Sequence, residues 1–176
     1  MKRSHEKNAR ENAKALTDAE RYAKMRQIPV EEKEEILRHI TREALENAPK
    51  MIVASGQKPE KYSPITRECM AAMIYGMLIA MSIENLGYYE WRWTECMMAM
   101  VANTFFAMEE EQSAALATYL YQGSDKNSPE YNVNIFQLVH IGIDAFYCLD
   151  QPEFLANGMR KVLDACYEDF GTGEEN

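Results

Sequence analysis

Residues 69–83, CMAAMIYGMLIAMSI, run for fifteen positions without a charge in a chain whose formal net charge is -9. Such a segment has to leave water, either for a bilayer or for the interior of its own protein. A bilayer span needs about 20 apolar residues. This run stops at Glu68 and Glu84, so its length predicts a helix buried on all sides at the centre of a bundle. Ala72, Gly76 and Ala80, four residues apart, would let a neighbouring helix approach its backbone closely.

The rest of the chain supplies helices to surround it. Gly (8) and Pro (6) are scarce and Met (12) is abundant among 176 residues, and strand-like alternation is missing. Ile36, Ile40, Ala44 and Ala48 mark the inner face of a helix that has Pro29 in its first turn and is ended or kinked by Pro49. Ser63 and Pro64 start the apolar helix, and Gly87 can take the left-handed conformation that stops it. Residues 88–123 read as one long or two consecutive helices. Ser128 and Pro129 repeat the Ser-Pro start, and a last helix from Pro152 turns Leu155, Met159, Val162, Cys166 and Phe170 inward. The expected fold is all-α: a single-domain bundle of six or seven helices around the central one (about 64–86), with an exposed N-terminal helical arm.

Charge divides the chain in two. Residues 1–28 carry eight basic against four acidic side chains, a balance of +4, while the remainder holds 11 basic against 24 acidic, a balance of -13. Hence a basic arm over 1–28 precedes an acidic body over 29–176. An acidic body repels phosphates and attracts basic protein surfaces. The polar N-terminus has no secretory signal, which with four widely spaced cysteines (Cys69, Cys96, Cys148, Cys166) predicts a cytoplasmic protein with reduced, mostly buried thiols.

Five constellations could carry function. The methionines Met70, Met73, Met77 and Met81, with Cys96, Met97, Met98 and Met100 further on, have the soft donors that Cu(I) takes, but they fall where a core is needed anyway. His140, Asp144 and Cys148 share one helix face and would suit a metal site or an activated thiol. Arg3, Lys7, Arg10, Lys14 and Arg21 form a basic stripe suited to phosphates, without aromatics to stack on bases. Tyr88, Tyr89, Trp91, Arg92 and Trp93 bring together the residue types enriched at interface hot spots, and Arg92 is the only basic residue between Arg67 and Lys126. Glu109, Glu110 and Glu111 lead the acidic runs that could imitate nucleic acid.

No GxxxxGK, GxSxG, HExxH or GxGxxG motif occurs. The expectation is a non-enzymatic protein-binding module that needs no cofactor and stays out of the membrane, using Tyr88 to Trp93 and Glu109 to Glu111. Its narrower form is an acidic inhibitor, of the immunity or anti-defence type, that docks on the basic groove of a nucleic-acid-processing enzyme. The alternatives are a nucleic-acid-binding accessory protein acting through residues 1–26 and a metal-dependent enzyme using His140, Asp144 and Cys148. A homodimer would complete the shallow apolar face of the arm.

Overall fold

The computed structural model describes the backbone over residues 27–55 and 64–170, and side chains over 27–50 and 67–164 apart from 159 and 163. Within these residues the chain forms six helices and no strand: α1 (Val30–Ser55), α2 (Pro64–Leu86), α3 (Trp91–Phe106), α4 (Glu110–Ser124), α5 (Val133–Phe146) and α6 (Pro152–Phe170). The all-α bundle predicted from the sequence is the observed one. The N-terminal arm lies outside the described residues.

The charge-free run occupies α2, where residues 69–82 are buried without interruption. Met70, Met73, Ile74, Met77, Leu78 and Met81 have no exposed surface, each contributing about 1.5–3 kcal/mol of apolar burial. Contacts from α2 reach all five other helices, most extensively α5. Length therefore does not distinguish core from membrane as the sequence suggested. Arg67–Leu86 is 20 residues long and apolar enough to cross a bilayer, but 83% of its apolar window is covered by the other helices.

Two glycines set the closeness of the α2–α5 crossing. A Cβ built on Gly76 would overlap the Val139 carbonyl, and one on Gly142 would overlap the Met73 carbonyl. The two backbones touch where side chains would hold them apart.

Helix ends follow from local chemistry. Gly87, at φ 79°, donates its N–H to the Ile83 carbonyl at 2.8 Å and stops α2 as expected. The stretch over 88–123 is two helices. Between them Ala107 takes a left-handed conformation at φ 50°, and Asn103 Nδ2 donates to the Met108 carbonyl across the bend at 2.7 Å. Pro49 does not end α1, which continues to Ser55. The fixed φ of proline is compatible with a helix, and Pro49 stands on the exposed side.

Ser128 and Pro129 also start no helix. Ser128 Oγ accepts from the Glu130 N–H at 3.1 Å and closes only a local turn. The cap is Asn132, whose Oδ1 accepts from the N–H groups of Asn134 at 2.9 Å and Ile135 at 3.3 Å.

Candidate functional site

The turn from α2 into α3 places the aromatic cluster at one corner of the bundle. Tyr88 follows Gly87 inward and is buried, with a hydroxyl that has no hydrogen-bond partner among the described residues. Burial, and then the Glu90 carboxylate, push its pKa above the usual tyrosine range. Trp93 packs half-buried against the core. Thus Tyr88 and Trp93 plug the bundle end, and the other three face water.

Those three are Tyr89 (46% exposed), Trp91 (38%) and Arg92. Trp91 lies face to face on Tyr121 of α4, with centroids 4.8 Å apart and planes inclined by 14°. Its ring also carries the Arg92 guanidinium at 5.0 Å. Arg92 makes no ion pair among the described residues, and nearby Glu84 accepts from the Tyr147 hydroxyl at 2.8 Å. On the inner side, the Lys33 ammonium of α1 lies 5.1 Å from the Trp93 ring and 5.9 Å from the Tyr88 ring. The corner therefore combines aromatic rings with two cations, Arg92 over Trp91 and Lys33 over Trp93 and Tyr88.

Beneath it lies Tyr75 of α2, almost wholly buried, its hydroxyl likewise without a partner among the described residues. Its pKa is driven upward by burial first, then by Tyr89, Glu95 and Tyr121. The phenol stays neutral under all ordinary conditions.

Glu109, Glu110 and Glu111 are exposed at the start of α4. Because Trp91 stacks on Tyr121, α3 and α4 run antiparallel, and the acidic triplet lies about 17 Å along the hairpin from the aromatic corner at 1.5 Å per residue. The two sets proposed for partner binding occupy opposite ends of one hairpin.

His140, Asp144 and Cys148 do not converge. Among the described residues no group of three or more His, Cys, Asp or Glu side chains is arranged to hold a metal ion. α5 ends at Phe146, so Cys148 lies in the turn that follows the helix. The setting is not apolar either, since His140 is exposed and packs edge-on against Phe136 at 4.3 Å. Asp144 and Cys148 face a cavity between α5 and α6.

The methionines of α2 are core, as are Met97 and Met98, whereas Met100 and Cys96 are exposed on α3. The expectation of buried thiols thus holds for Cys69, while Cys148 is half-buried. The basic stripe of Arg3, Lys7, Arg10, Lys14 and Arg21 lies outside the described residues.

Two participants at the corner were not legible beforehand. Tyr121 is thirty positions from Trp91, and Lys33 sits within the acidic run EEKEE. A second exposed cluster, in which Tyr131 meets Phe136 and Lys126 lies 4.4 Å from the Phe136 ring, also had no sequence signal beyond its loop. Comparison with known proteins finds no matching family model, no matching curated protein and no matching solved structure.

Proposed function

We propose that the chain is a non-enzymatic protein-binding module of the cytoplasm that presents the aromatic corner to its partner. The supporting observation is the exposed Trp91 ring held between Tyr121 and Arg92. Trp, Tyr and Arg dominate interface hot spots, and Trp and Tyr bury large areas while immobilising only two side-chain torsions each. Here the tryptophan is already fixed by stacking, which removes part of the ordering cost of association. The narrower version is an inhibitor that sets its acidic surface on the basic groove of a nucleic-acid-processing enzyme. Net charge -9 and the exposed Glu109, Glu110 and Glu111 support it.

The test is capture of partners from a host extract, with and without nuclease, using the wild-type chain, a Trp91→Ala/Arg92→Ala variant and a Glu109→Lys/Glu110→Lys/Glu111→Lys variant. A stoichiometric protein retained after nuclease and lost with the Trp91→Ala/Arg92→Ala pair, at unchanged helix content, is the expected result. A partner held equally well by that variant would remove the corner from the interface. One that is indifferent to the charge reversal would leave the module but eliminate the mimicry.

A further inference from the structure

A different face of the bundle, between α5 and α6, carries a cavity of about 320 Å³. Its apolar wall includes Leu155, buried, and Val162, half-buried. Gly158 leaves one stretch of that wall bare, since a Cβ there would meet nothing within 4 Å. Phe154, which itself forms part of the lining, is 66% exposed, the most exposed large hydrophobic side chain among the described residues. Asp144 comes from α5 and Lys161 from α6; both line the opening, are exposed, and make no ion pair among the described residues.

We infer that this face is the self-association surface of the protein, occupied by a second copy of the chain. An apolar cavity of about 150 Å³ accommodates benzene, so this one receives a phenyl ring with room to adjust. Across a two-fold axis each copy offers Phe154 to the other's cavity. The charges fit the same operation: Asp144 faces the partner's Lys161 and Lys161 faces the partner's Asp144, two attractive pairs from one acid and one base per chain. A foreign partner would have to match all three features separately, while a second copy supplies them by symmetry. Two bodies of net charge -9 repel at long range, which is why the local pairs matter to the register.

Sedimentation velocity of the full chain over a micromolar concentration series tests the inference, with circular dichroism as the check on folding. The wild type is expected to dimerise, and Phe154→Glu to weaken dimerisation about tenfold or more at unchanged helix content, since the side chain is mostly exposed. Asp144→Lys alone should weaken it and Asp144→Lys/Lys161→Asp should restore most of the loss. A wild type that stays monomeric overturns the inference, as does a dimer indifferent to Phe154→Glu or a double variant weaker than the single. A monomer that dimerises only after removal of residues 1–26, or one carrying a co-purified apolar molecule, would show another occupant and overturn it equally. Trp91 and Arg92 belong to α3 and line no part of this cavity, so this result and the partner capture fail independently.

Discussion

Toward α2, helix α5 is packed backbone against backbone; toward α6, the same helix leaves a cavity of about 320 Å³. The sequence of α5 accounts for the contrast. Gly142 lies on the face that meets Met73, while Ile141 and Asp144 face the opening. Close packing leaves no space for an added atom, and a cavity leaves atoms on its wall without neighbours. The α2–α5 seam therefore fixes the fold, and the α5–α6 face is the place where something can still be added.

The largest expected effect tests the tight side. Gly142→Ala is favoured by intrinsic helix propensity by about 1 kcal/mol, so a loose crossing would be stabilised. Because the new methyl meets the Met73 carbonyl, the helices must separate, and the expected outcome is a loss of about 4 kcal/mol or more in chemical denaturation. The sign alone decides. A Gly142→Ala chain as stable as the parent would mean that α5 packs no more tightly toward α2 than toward α6.

A pair of leucines carries the comparison to side chains. Leu78 is wholly enclosed in α2, whereas Leu155 is buried but borders the cavity. Leu78→Ala should cost about 3 kcal/mol or more and Leu155→Ala about 2 kcal/mol, near the lower end for buried leucines, because one side of Leu155 already lacks neighbours. Denaturation midpoints at low protein concentration, where dimers dissociate, measure the difference. If the Leu155→Ala cost grows with protein concentration while the Leu78→Ala cost does not, a second copy is filling the cavity. Equal costs at all concentrations would remove the asymmetry.

What the sequence disclosed about this contrast follows the range over which its signals act. The α2 core, its stop at Gly87, the inward Ile40, Ala44 and Ala48, and the close approach at Gly76 are local patterns of hydrophobicity and residue size, and all are present. The break at Ala107 was not legible, because neither glycine nor proline marks it and the bend is held by an Asn103 bond that forms only once the chain has turned. Asn132 displaced Ser128 as the cap because its carbonyl reaches two N–H groups at once. The candidate site was half legible. Tyr88 to Trp93 are consecutive and could be noticed together, while Tyr121 and Lys33 join them only through the tertiary fold. His140, Asp144 and Cys148 divide in a related way: Asp144 and Cys148 still border one cavity although α5 ends at Phe146, while the exposed His140 packs on Phe136 and is not part of that lining.

A third contact of α5 lies between its two extremes and gives the smallest effect. Near the start of the helix, Ile135 and Leu138 border a small cavity of about 70 Å³ shared with Glu68 of α2 and Tyr119 of α4. The Tyr119 hydroxyl donates to Glu68 Oε1 at 2.7 Å, and its pKa is pushed up to about 12, by burial first and then by the Glu68 hydrogen bond and charge. The neutral phenol is thus favoured in the folded state, while the unfolded chain loses the same proton near pH 10. Between pH 10 and 12 the unfolded state binds fewer protons, so this contribution to stability is complete below about pH 10 and declines as pH rises toward 12. Tyr119→Phe should flatten the loss of stability across that window, and Glu68→Gln should lower the Tyr119 pKa only part of the way, because burial, the larger cause, remains. Ultraviolet titration of the phenolate checks the second statement and denaturation at pH 9 to 12 the first. A Tyr119 titration returned fully to the ordinary tyrosine range by Glu68→Gln would show that the carboxylate acts alone there and that this corner of α5 is open to water, closer in character to the α6 side than to the α2 seam.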